Sequence, residues 1–160
     1  MAQPSTAEIL EKAIMEDPDD LAAHAAYADW LSQEGDPRGE FMQVQLAPED
    51  AGRSPKERKE LEQREKKLLK AHRRKWLGRL ADYLLDQKGL PDNRRFQFQF
   101  ARGWLDYIRV PQLSEPFALA LAKTAESRLL RRLIIEEESY EDPGSDEFEE
   151  MLKPPQPDET

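Results

Sequence analysis

The segment "YADWLSQEGDPRGEFMQVQLA", Tyr27 to Ala47, crowds Asp29, Trp30, Gly35, Asp36, Pro37, Arg38, Gly39, Glu40 and Phe41 into two helical stretches and the turn between them. Its reading decides between an active site and a fold signature. Gly35 suits the left-handed residue that ends a helix, and Asp36 followed by Pro37 suits the cap and first position of the next one. Proline loses nothing there, because the first amide of a helix has no intrahelical acceptor and the proline φ is already helical. Gly39 permits two helix backbones to approach closely. Trp30 and Phe41 are then expected as core anchors across the corner, with Asp29, Arg38 and Glu40 forming a charge-assisted network between the helices. As a catalytic set, Asp29, Asp36, Arg38 and Glu40 are weaker, since Ser32 is the only nucleophile among them. The structural reading is preferred.

Working outward on the N-terminal side, Ser5 and Glu8 form an S-x-x-E capping box, followed by Ile9, Leu10, Ala13 and Ile14 at helical spacing. This predicts a helix from Thr6 to Glu16. Asp19 or Asp20 caps a second helix in which Leu21, Ala25, Ala28 and Leu31 share a face with His24 beside them, running to about Gln33. The third helix covers Pro37 to about Leu46. "APEDAGRSP" reads as a linker. The charged stretch beyond it predicts one long helix or two joined ones, with Leu61, Leu68, Leu69, His72, Trp76, Leu80 and Leu84 on an apolar stripe that ends before Gly89 and Pro91. His72 is expected to be half-buried there and not a ligand.

The period then changes from 3.6 to 2. Phe96, Phe98 and Phe100 alternate with Gln, and "GWLDYIRV" continues the alternation, so two strands are expected with a bend or hairpin turn at Arg102 and Gly103. Ser114 caps a short helix, and a further strand is expected near residues 130–136. Strand, helix, strand is the order of a parallel crossover or of a solenoid unit.

Composition bounds the rest. The chain has 160 residues, 38% hydrophobic and 36% charged, which fits a well-solvated chain with one main domain. No apolar run approaches the roughly 20 residues of a membrane-spanning helix, and the start has no secretory pattern, so a cytoplasmic location is expected. With no cysteine and only His24 and His72, thiolate or histidine-rich metal sites are excluded, and no metal or other cofactor is expected. The net charge of -9 is segregated: twelve bases against four acids in residues 53–79, and nine acids with no base in residues 136–150. Attraction between these segments would satisfy the pattern without an outside partner.

The run Tyr27, Ala28, Asp29, Trp30, Leu31, then Gly35, Asp36, Pro37, Arg38, Gly39, Glu40, Phe41 and Gln45, followed by "REKKLL" and "HRRKWLGRL", resembles the bacterial repeat-companion domain, known mainly from planctomycetes and myxobacteria and often placed ahead of leucine-rich repeats. The resemblance covers about residues 8–80, and "FARGWLDYIRV" with "LLRRLIIEEE" resembles the opening of a leucine-rich-repeat array. It implies a helical module that accompanies a scaffold for protein contacts, and no reaction.

The fold expected is therefore α+β: a helical bundle over residues 1–90, a short β/α repeat-like unit over 91–137, and an acidic, disordered tail over 138–160. Function is expected to be non-catalytic protein–protein interaction, an adaptor whose partner is another protein, basic or part of a larger complex, with no membrane involved. Leu133, Ile134 and Ile135 on an uncovered strand edge, with Phe148, Met151 and Leu152 in the tail, are the expected partner-binding residues. The alternative is a nucleic-acid-associated subunit using Arg73, Arg74, Lys75 and Arg79. An enzyme using Asp29, Asp36, Arg38 and Glu40 ranks below both.

Overall fold

A computed structural model describes residues 3–47 and 52–136 of the chain. It is an α+β fold, mostly helical, with a small three-stranded sheet. Helices α1 (Thr6–Glu16), α2 (Leu21–Gln33) and α3 (Pro37–Leu46) begin and end where their capping residues dictate. The Ser5 hydroxyl accepts from the Glu8 amide while the Glu8 carboxylate accepts from the Ser5 amide, which closes the capping box. Asp20 caps α2 through the amides of Ala22 and Ala23. Asp36 caps α3 through the Arg38 amide at 2.9 Å, with Pro37 as its first residue. Gly35 takes φ +75 between the two helices, a conformation cheap only for glycine.

The long basic stretch forms α4 (Pro55–Leu77), capped by a second box at Ser54 and Glu57. Gly78, at φ +52, breaks it into a 3-10 turn (Gly78–Leu80) and the short α5 (Ala81–Leu84). Strands β1 (Gln97–Ala101) and β2 (Trp104–Val110) form an antiparallel hairpin whose turn residues, Arg102 and Gly103, both have positive φ. Helix α6 (Glu115–Lys123), capped by Ser114, then crosses over to β3 (Arg132–Ile135), which pairs with β2 in parallel. The order β1-β2-β3 leaves β3 on an edge.

Two hydrophobic clusters fill the interior. In the larger, Phe41, Leu68, Trp76, Leu77, Leu80 and Leu84 of the helices pack with Phe100, Leu105, Ile108, Val110 and Phe117. The helical segment and the strand-bearing segment therefore share one core, and the boundary read near residue 90 does not separate two packing units. The smaller cluster joins Ile14, Tyr27, Ala28, Leu31 and Met42 to Trp104.

Two expectations for the opening segment are corrected. Phe41 is the core anchor expected, but Trp30 is not. Phe41 lies in the larger cluster, 4.7 Å from the Trp76 ring centroid, whereas Trp30 is only half-buried and stacks on Tyr27 at 5.8 Å in the smaller one. The reason is helical phase: Trp30 and Tyr27 sit three residues apart on one stripe of α2, and Phe41 points from α3 towards α4. Asp29, Arg38 and Glu40 do not form one network either, and each serves a different neighbour, as described below. Gly39 does what the sequence implies. A Cβ there would lie 2.6 Å from the Ala28 carbonyl oxygen and 2.6 Å from the Ser32 nitrogen, so α2 and α3 touch backbone to backbone.

Candidate functional site

The face of α3 that carries Arg38, Met42 and Gln45 docks the hairpin turn between β1 and β2. These positions recur at i, i+4 and i+7, one stripe of a helix. Arg38 donates from Nε to the Gly103 carbonyl at 3.1 Å. Gln45 donates from Nε2 to the Phe100 carbonyl at 3.1 Å and accepts from the Gly103 amide at 2.7 Å. Between them Met42 lies so close that a Cβ on Gly103 would fall 2.0 Å from its Cγ. Two polar side chains thus satisfy the main chain of a turn that is pressed against an apolar one, and the turn must be glycine both for φ +83 and for space.

Trp104, next after the turn, is almost fully buried and gathers the smaller cluster. Tyr27 stacks on it at 5.5 Å, and the guanidinium carbons of Arg38 and Arg128 each lie 4.8 Å from its ring centroid. Burial, and next the charge of Arg128, lower the Arg38 pKa from the ordinary arginine range. Arg38 Nη2, Arg128 Nε and Trp104 Nε1 are buried without a hydrogen-bond partner among the described residues, so the indole face supplies part of what water would otherwise give the two cations. Glu11 balances them from α1. It accepts from Arg128 Nη2 at 2.8 Å and from the Tyr27 hydroxyl at 2.6 Å, and burial followed by this bond pushes the Tyr27 pKa far above the usual phenol value.

The four polar residues of the catalytic alternative are dispersed. Asp29 accepts from Gln43 Nε2 at 2.9 Å, Asp36 is occupied by its cap, Arg38 by Gly103, and Glu40 holds Arg64 of α4 in a fork whose Nη2 to Oε2 limb is 2.8 Å. This last pair lowers the Glu40 pKa and ties the acidic N-terminal segment to the basic helix. A shallow cavity of about 350 Å³ lined by Leu21, Ala25, Asp29, Gln43, Leu46, Ala47 and Arg53 contains only Asp29 of the four. A smaller one, about 160 Å³, opens between the α1–α2 turn and the hairpin, where Asp19 pairs with both Arg102 (2.9 Å) and Arg131 (2.7 Å). Buried His24 bonds the Pro18 carbonyl at this site. Among the described residues no group of three or more acidic or histidine side chains is placed to hold a metal ion.

Of the cations expected to meet nucleic acid, Arg74 is engaged by Asp86 and Asp82 of its own chain, which raises its pKa, while Arg73, Lys75 and Arg79 are exposed. His72 is half-buried against Trp76 at 5.3 Å, as expected of a stripe residue.

Strand β3, expected from the sequence to bind a partner, is the most open part of the sheet. Leu133 is 38% exposed, Ile134 43% and Ile135 38%, although they pair with buried Ile108 and Val110 or with Arg109 of β2. The Glu136 amide donates to the Val110 carbonyl at 2.9 Å, so strand alternation turns the main-chain groups of Ile134 towards β2 and those of Leu133 and Ile135 outward. Phe148, Met151 and Leu152, and all of the acidic block beyond Glu136 expected to attract the basic segment, lie outside the described residues.

Sequence reasoning missed Gly103, Trp104, Glu11 and Arg128 as members of one cluster. Their separations along the chain, 117 residues for Glu11 to Arg128, leave no local period to detect. The one available signal was the Arg38 to Gln45 spacing, two turns of one helix face. Comparison with family models, with curated proteins and with solved structures finds no match to this chain.

Proposed function

We propose that this chain is a non-catalytic interaction module, an adaptor of the repeat-companion kind acting in the cytoplasm, and that its partner is bound through the β3 edge together with the acidic residues that follow. The observation that carries this reading is the exposure of Leu133, Ile134 and Ile135 on β3, an edge strand whose four residues are all exposed. An edge strand of this kind offers unpaired amides and carbonyls to an added strand, with apolar side chains on both faces to secure it. The nine acids of residues 136–150 would steer a basic partner towards it. The parallel β2-α6-β3 crossover is the feature that supports reading this half as the opening of a leucine-rich-repeat scaffold, β1 then serving as its antiparallel cap.

Replacement of Leu133 by proline tests the reading, because the amide it removes faces away from β2 and an edge strand tolerates proline. Tagged full-length chain captured from its host should bring down a partner that Leu133→Pro loses, at an unchanged melting temperature. Equal capture by both forms would remove β3 from the binding surface.

A second reading has its own observation: Arg73, Lys75 and Arg79 are each exposed with no carboxylate partner among the described residues. Phosphate contacts by these cations would give steeply salt-dependent binding to DNA or RNA. Gel shifts at low salt and near physiological salt separate the two, and binding that survives the higher salt would place this reading first.

A further inference from the structure

We propose that the strand added to β3 is β3 of a second copy of the chain, laid antiparallel about a two-fold axis through Ile134. This rests on reading β3 as an open pairing edge, and it names the occupant.

The strand and its flanking acid read "RLIIE", Arg132 to Glu136. Reversed about Ile134, the segment is complementary to itself. Leu133 faces Ile135, Ile134 faces its own counterpart and Arg132 faces Glu136. Apolar positions meet apolar ones, and each cation meets an anion. Shifting the axis one residue back to Leu133 would set Arg132 against Ile134 and Arg131 against Ile135. Shifting it forward to Ile135 would set Glu136 against Ile134. An axis between two residues would set an outward-facing main chain against an inward-facing one, so no ladder could form.

The main chain is compatible with this axis, and the choice among axes through single residues rests on the side chains. The groups of Leu133 and Ile135 point away from β2, and a two-fold at Ile134 places these two opposite each other as mutually hydrogen-bonded pairs. Arg132 and Glu136 then fall in a non-hydrogen-bonded pair, where the side chains approach most closely.

The charges are also arranged for a partner. Arg131 is already committed to Asp19 and Asp106 within its own chain. Arg132, by contrast, rests over the Tyr107 ring at 5.3 Å with no carboxylate partner among the described residues. Glu136 receives Arg109 on Oε1, which leaves Oε2 for the arginine of the second copy. The Arg132 to Glu136 pair therefore carries the selectivity, and the two-fold repeats it. A foreign strand would need this same polarity to fit, whereas a second copy has it by construction.

The test is charge complementation, followed by sedimentation of the full chain over a concentration series reaching about 0.5 mM, high enough to register a pair with a Kd near about 1 mM. The wild type should associate to dimers. Arg132→Glu alone opposes like charges twice, as does Glu136→Arg alone, and each should weaken association about tenfold or more. Mixed in equal amounts, the two variants should recover dimers, since every 132 and 136 position across the mixed interface is again oppositely charged. Unfolded chains could not complement in this way, so recovery also shows that the variants are folded. A wild type that stays monomeric throughout, single variants that associate like the wild type, or a mixture no better than either variant would each overturn the two-fold. A monomeric wild type whose capture of another protein is lost in Leu133→Pro overturns the two-fold while leaving the edge to a foreign strand.

Discussion

Strands β2 and β3 lie side by side in parallel register, yet Ile108 and Val110 are fully buried while the residues paired with them, Leu133 and Ile135, are each 38% exposed. The two strands are equally apolar. What separates them is cover: β2 has β1 and β3 as neighbours and side chains of α3, α4 and α6 over its face, whereas β3 has one neighbour only. A run of apolar residues therefore specifies a strand but not its depth, and depth follows from which helices the chain has left to lay on it.

The contrast breaks most visibly at paired positions. Ile108→Ala should cost about 2–5 kcal/mol, the range for a well-buried aliphatic side chain, while Leu133→Ala should cost about 1 kcal/mol or less. Chemical denaturation of both variants checks this, and equal losses would mean that something covers β3 in the isolated chain. Gly103→Ala comes next, at about 2–4 kcal/mol, because it adds a left-handed alanine to a contact that already leaves Met42 no room. Met42→Ala should recover part of that loss, so the double variant should be less destabilised than the two single effects added together.

Smaller effects sharpen the closed side. Arg38→Met keeps the length of the side chain but leaves the Gly103 carbonyl without its side-chain donor, and should cost about 1–3 kcal/mol by thermal melting with the secondary structure intact. The smallest is a pH effect at Asp19. The Arg102 hydrogen bond, and next that of Arg131, hold its carboxyl below the ordinary value of 3.8. A depressed acid stabilises the fold above its unfolded pKa, and that contribution is lost as pH falls through the lower folded value. Asp19→Asn should therefore lie slightly below wild type in melting temperature near neutral pH and converge with it at the acid end. Parallel curves down to pH about 2 would remove the Asp19 clip from the stability of the fold.

The local elements were legible because their causes are local. Ser5 with Glu8, Asp20, Asp36 with Pro37, and Ser114 each satisfy amides within one turn of themselves, so helix starts can be read from the residues that cap them. Gly39 announced a close approach, and the strand edge at Leu133 to Ile135 was visible as an apolar run before a block of acids. The partners of the signature residues were not legible. Arg38 was grouped with Asp29 and Glu40 because they are near in sequence, but helical phase sends Asp29 to Gln43, Glu40 to Arg64 and Arg38 to a carbonyl 65 residues away.

By itself, then, the sequence determined the helices, the hairpin with its glycine turn, the segregation of charge and the self-complementary order of charge around Ile134, all of which depend on residues within a few positions of one another. Only the tertiary structure decided that Arg38, Met42 and Gln45 hold the hairpin, that Glu11 and Arg128 meet at Trp104, and that one core spans both halves. The physical reason is that these outcomes depend on which surfaces remain free once every helix has packed, and on contacts between residues whose separation in the chain carries no period.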